Sequence, residues 1–130
     1  QEAPELRPAL SHVIAVNGTS GETIMEVKED SNFTLGRPVF IQAQFTNPNE
    51  ADVFDHTLVM TLSRNAGADD ILEQAANFHG DIGPDENVNL EFYWNPDMEG
   101  GYLLRVFSLT PGDLAGESEP ILSVPLQAVQ

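Results

Sequence analysis

Three stretches of this chain alternate apolar and polar residues with a period of two, and that rhythm restricts what the chain can fold into. From Pro38 to Thr46, Val39, Ile41, Ala43 and Phe45 fall on one side, with Gln42, Gln44 and Thr46 on the other. From Thr57 to Ser63, Leu58, Met60 and Leu62 share a side, largely opposite threonines. From Asn87 to Trp94, Val88, Leu90, Phe92 and Trp94 oppose Asn89, Glu91 and Tyr93. Successive strand side chains point to opposite faces, so each stretch reads as a strand with one face on a core and one in water. A strand of this kind cannot bury its apolar face alone; it needs a sheet, and the sheet needs a second layer.

The remaining segments fit the same plan. Leu10 to Val16 alternates loosely, placing Leu10, His12, Ile14 and Val16 together, and Asn17 to Gly21 carries turn chemistry. Thr23 to Val27 reads as a short strand, and Phe33 to Leu35 adds a little pairing. Tyr102 to Leu109 is apolar on both faces, as a central strand should be, and in the last strand, Ile121 to Val129, Pro125 points to an edge or a bulge. Pro4 and Pro8 make the first eight residues irregular or extended. One segment fits two readings: Asp70-Ile71-Leu72-Glu73 resembles a helix capping box, so residues 69–78 read as a short helix or an irregular strand. The expected fold is all-β, an antiparallel β-sandwich of seven to nine strands, with residues 1–20 as an extended leading segment and 21–130 as the sandwich. Its core is expected to gather Ile41, Phe45, Leu58, Met60, Leu90, Phe92, Trp94, Tyr102 and Val106.

Composition narrows the function classes. The 130 residues carry 21 acidic side chains against five basic ones, a formal charge of −16, with Lys28 the only lysine. Such a surface repels phosphate backbones and anionic lipid, so neither nucleic acid nor a membrane is an expected partner. No apolar run approaches the roughly 20 residues of a membrane-spanning helix. There is no cysteine, which excludes disulfides, thiolate metal sites and cysteine nucleophiles. Gln1 fits either the mature start of an exported chain or an arbitrary cut.

The stretch from Gly36 to Leu109 carries a recognisable order of motifs. It begins Gly36-Arg37-Pro38-Val39 and runs through Phe45-Thr46-Asn47; Gly83-Pro84-Asp85 follows, then Phe92-Tyr93-Trp94-Asn95-Pro96, then Gly101-Tyr102. This resembles the immunoglobulin-like modules of archaeal and bacterial cell-surface proteins, including the cell-adhesion-related, CARDB-like group. In that group a Trp-x-Pro closes one strand and a Gly-Tyr opens the next. The resemblance covers a little over half the chain and implies an immunoglobulin-like sandwich placed outside the cell or on its surface. Tyr102 then stands where the tyrosine corner of such folds stands, its ring buried and its hydroxyl able to bond a nearby backbone; Trp94 is expected to face the core.

Catalysis is not expected. Asp55-His56-Thr57 reads like a triad written in line, but triad members converge through the fold rather than along a strand. Candidate calcium ligands are Asp81, Asp85 and Glu86 around the Gly-Pro turn, without the ligand ladder of an EF-hand; otherwise no cofactor is expected. Two sequons, Asn17-Gly18-Thr19 and Asn32-Phe33-Thr34, fall in expected loops and are candidate glycosylation sites. Tyr93 is the one aromatic placed outward. Two functions fit. The first is a non-catalytic structural or adhesive surface subunit whose partners are copies of itself or other surface proteins. It would polymerise into a filament if Leu10, His12, Ile14 and Val16 are donated as a strand to a neighbour. The same segment also fits as the first strand of its own sandwich. The second function is a ligand- or carbohydrate-binding accessory module of a larger secreted protein.

Overall fold

The structure, a computed structural model, describes residues 7–67, 69–111 and 118–130, so Pro4 and the rest of residues 1–6 lie outside the described residues. Every regular element is a strand: β1 (Ala9–Asn17), β2 (Thr23–Glu26), β3 (Ser31–Thr34), β4 (Val39–Thr46), β5 (Val53–Ala66), β6 (Asp69–Ile82), β7 (Asn87–Trp94), β8 (Gly100–Leu109) and β9 (Leu122–Val129). They form a four-stranded sheet in the order β2-β1-β4-β7 and a five-stranded sheet in the order β3-β9-β8-β5-β6. All pairs are antiparallel except β3 with β9. The expected sandwich is therefore present, with nine strands.

The period of two is what closes it. β4 buries Val39, Ile41, Ala43 and Phe45, and β7 buries Leu90, Phe92 and Trp94 from the same sheet. Leu58, Met60 and Leu62 of β5 and Tyr102, Leu104 and Val106 of β8 meet them from the other. All nine residues expected in one core lie in one continuous apolar cluster. β8 runs between β5 and β9, which explains its apolar character on both faces. Pro125 sits where β9 outruns its neighbour: its carbonyl accepts from Asp30 N at 2.8 Å, and β3 begins at Ser31. The missing N–H therefore faces a place with no strand to pair, the position a sheet tolerates for proline.

Residues 69–78 are strand, not helix. β6 pairs with β5 over its whole length, so the capping-box pattern is overridden by a partner strand. The register slips between Leu62 and Ser63, leaving Glu73 unopposed in a bulge, from which its carboxylate reaches Arg64 at 2.8 Å. A second slip lies between Val53 and His56, where Asp55 takes a φ of 50°.

The leading segment is built into the sandwich. β1 lies between β2 and β4 and turns back into β2 through Asn17–Gly21, so it pairs at home. Its inward residues differ from the expected set of Leu10, His12, Ile14 and Val16. Val13 and Ala15 reach the core, while His12 is exposed and Ile14 half-buried. The register slip between Leu10 and His12, which leaves Ser11 unopposed, is the cause, because a one-residue slip exchanges the two faces. Leu10, before the slip, still packs on the core. Val16 pairs with Phe40 and is covered outside the core cluster.

The β4–β5 and β6–β7 loops are tied at one pole by Asn47, fully buried. Its amide donates to the Ala51 and Ile82 carbonyls at 3.0 and 2.9 Å, and its side-chain oxygen accepts from Asn49 N at 2.9 Å. Its backbone exchanges hydrogen bonds with Glu86 and Asp85. β1 starts at this pole, where Ala9 opposes Thr46, and β9 ends at the other, where Val129 opposes Thr34. Because β1 is an interior strand, deletion of residues 1–16 strips β4 of a neighbour and β2 of its only one. We expect the truncated chain to be unfolded, read as collapsed amide dispersion in NMR spectra. A folded truncation that accepts the 1–16 peptide in trans would reinstate the donated strand.

Candidate functional site

The chain passes from one sheet to the other between β2 and β3, and that crossing shapes a cavity. Val27 N donates to Val13 O, holding the end of β2 on β1; three residues later Asp30 N donates to Pro125 O, placing the chain on β9. Between them Ser31 closes a tight turn, its hydroxyl donating to Lys28 O at 2.8 Å, with Asp30 at a φ of 61°. β2 and β3 thus become outer edges of different sheets, and a cleft of about 240 Å³ opens between them. Its floor is apolar, from Met25, Phe33 and Val39, with Ile24 and Pro38 on the walls. Its polar lining residues are Asn17, Asn32, Thr34 and Arg37. Among the described residues no Asp or Glu lines it, although the chain carries 21 of them.

The wall at Asn17 is held firmly. The Asn17 side-chain oxygen accepts from Thr19 N and Ser20 N at 2.8 and 2.9 Å, an Asx turn that leaves the side-chain NH2 facing out of the turn. Gly18 N donates to Pro38 O at 2.9 Å, and a Cβ at Gly18 would stand 3.0 Å from that oxygen, so a larger residue would press the Pro38 backbone away. Both sequon asparagines, 15 positions apart, therefore line a single cleft. Asn17 is half-buried and Asn32, on β3, exposed.

The tyrosine corner is formed. Tyr102 is buried and its hydroxyl donates to Met98 O at 2.9 Å. Trp94 packs edge-on against Tyr102 at 4.9 Å between ring centroids and against Phe33 at 5.2 Å. Burial, with negative charge from Glu73 and Asp97, raises the Tyr102 hydroxyl above its ordinary value of 10.0, against the opposing effect of Arg64.

The other candidates separate. Asp81 accepts from Asp55 N at 2.9 Å, Asp85 N donates to Asn47 O, and Glu86 folds its carboxylate over Gly83. Among the described residues no three of His, Asp and Glu stand close enough to hold a metal ion. Asp55, His56 and Thr57 also diverge: buried His56 meets Ser108 Oγ at 2.6 Å, whereas the Thr57 hydroxyl meets His79 Nδ1 at 2.7 Å. On the outer face of the four-stranded sheet Tyr93 is joined by Phe40, which sequence reasoning left unplaced although it falls on the outward parity of β4. The rings meet edge-on at 5.5 Å and 67°, not as a coplanar platform.

Neither a family model nor a curated protein sequence matches the chain. Solved structures do. A solution NMR structure of the CARDB domain of a Pyrococcus furiosus protein superposes with a TM-score of 0.54 at 15% identity, over 95% of this chain and 97% of that one. The fold is CARDB-like. A crystal structure of the same domain, in complex with di-metal ions, gives 0.53 at 16% identity over 99% and 95% of the two chains. The immunoglobulin-like architecture expected from Gly36 to Leu109 thus extends over nearly the whole chain, β1 included.

The raised Tyr102 value has a measurable sign. As pH climbs past 10 the unfolded chain gives up this proton first, so stability is intact below that pH and declines above it. Tyr102→Phe is expected to cost about 1 kcal/mol near neutral pH through the lost hydrogen bond to Met98. It should also flatten the decline above pH 10 in urea denaturation.

Proposed function

We propose that this chain is a non-catalytic adhesive or structural module of the cell surface, whose partners are other surface proteins or further copies of itself. The observation that carries this reading is the end-to-end match to a CARDB domain, with both chains covered almost completely. Three further features support it. The chain enters β1 at one pole and leaves β9 at the other, the geometry of a spacer inserted between two attachments. The acidic surface suits life in bulk solvent. Within the Asp55-His56-Thr57 tripeptide the His56 and Thr57 side chains bond to different partners, Ser108 and His79. The edge-on pairing of Phe40 with Tyr93 favours this reading over a carbohydrate-binding module, because sugar rings stack best on coplanar aromatics.

Assembly through donation of β1 is disfavoured by its place inside a sheet. Contacts between modules are better sought at the open edges, of which β2 and β3 are short and lie on one side of the cleft-bearing flank. Immunogold labelling of intact source cells tests the location: label on the envelope or on extracellular material is expected, and label confined to the cytoplasm would overturn the proposal. Glycans on Asn17 or Asn32 belong to the same reading. Native protein is expected to exceed the 14.2 kDa of the bare polypeptide by whole sugar units, and an intact mass equal to it would remove the glycans from the proposal.

A further inference from the structure

We infer that the cleft between β2 and β3 is a docking site for the C-terminal residue of an extended peptide, with its apolar side chain on the floor and its carboxylate at Arg37. The inference stands on the cleft alone and does not depend on where the chain resides.

Charge comes first. Of the four arginines, Arg64 is paired with Glu73, Arg105 with Asp70, and Arg7 donates to Ser108 O. Arg37 is exposed and makes no ion pair among the described residues. A guanidinium without an ion pair in a chain of formal charge −16 is surrounded by potential partners, yet among the described residues no carboxylate lines its cleft. Glu22 and Glu26 are near in sequence but do not line it. The other polar residues that line the cleft, Asn17, Asn32 and Thr34, carry no charge. A planar carboxylate is the group a guanidinium receives best, through two parallel hydrogen bonds.

Size and shape decide the rest of the occupant. A cavity of about 240 Å³ floored by Met25, Phe33 and Val39 accepts one medium apolar side chain, not a large ligand. An apolar side chain and a carboxylate within that reach of each other are what a peptide's last residue offers. The walls of the cleft are outer strands. On β2, Met25 opposes Ala15 and Val27 N bonds to Val13 O, so alternation turns the backbone of Glu26 outward, and Ile24 stands unopposed in a bulge. On β3, Leu35 N donates to Val129 O, which by the same alternation leaves Asn32 facing away from β9. A peptide entering the cleft therefore finds unpaired backbone groups beside it, and main-chain pairing supplies affinity that a single side chain cannot.

The test is NMR titration of the full chain, produced without glycans, with acetyl-Ser-Val-Thr-Leu bearing a free C-terminal carboxylate. Saturable shifts confined to residues 17, 24–26 and 32–39 are expected. The peptide amide, and the free peptide on Arg37→Gln, should each bind roughly tenfold more weakly, the loss of one charge-assisted contact. Arg37 is exposed, so its substitution leaves the core untouched and the variant spectrum serves as the check of folding. Acetyl-leucine, which has the side chain and carboxylate but no strand, should bind more weakly than the peptide. Absence of saturable shifts, shifts centred elsewhere, or equal binding by the amide would overturn the site. Equal binding by acetyl-leucine would overturn the strand pairing and leave a site for small apolar carboxylates.

Discussion

Trp94 is the keystone on which the two layers depend. It belongs to β7, in the four-stranded sheet, and packs edge-on between Phe33 of β3 and Tyr102 of β8, both in the five-stranded sheet. A chain with no cysteine cannot link its layers covalently, so the fit of these rings, with the aliphatic cluster around them, does that work. Edge-to-face aromatic pairs add about 0.5–1.5 kcal/mol beyond the area they bury, and they prescribe an orientation that aliphatic contacts do not. Tyr102 also anchors the turn between its own strand and β7 through Met98 O. One contact set thereby fixes layer spacing, strand register near the pole and the path of the connecting loop.

Phe33 links that keystone to the cleft. Its ring meets Trp94, while its place on β3 makes it part of the cleft floor. The cleft is therefore backed, at Phe33, by the core itself. At the opposite pole Asn47 performs the equivalent closure with hydrogen bonds in place of rings. The sandwich is pinned at both ends by different chemistry.

What could be read from the sequence follows from which interactions are local. The strands β4, β5 and β7 announce themselves because inward and outward residues simply alternate, and the core they imply is the core observed. β1 misleads because its register slips at Ser11, and a slip leaves no mark on composition. Residues 69–78 mislead differently: Asp70 and Glu73 have helix-cap spacing, and only the presence of β5 alongside makes them strand. The cleft was illegible as a unit. Asn17, Asn32 and Arg37 meet because the chain changes sheets between Val27 and Ser31, and nothing local says which sheet receives β3 or that it joins β9 in parallel. Asn17 and Asn32 were visible as sequons but not as neighbours, and Arg37 only as part of a motif.

The placement of the chain's entry and exit at opposite poles bears on how the module carries force. A pull on Ala9 and Val129 runs along β1 in one sheet and β9 in the other, parallel to strands held on both flanks. The ladders are then loaded lengthwise, and the hydrogen bonds of β1 to β4 must stretch together instead of opening one after another like a zip. With no disulfide to cap the extension, resistance rests on that shared loading and on the rings clamped across the layers. A tether built from such units would hold taut until a whole strand slid free.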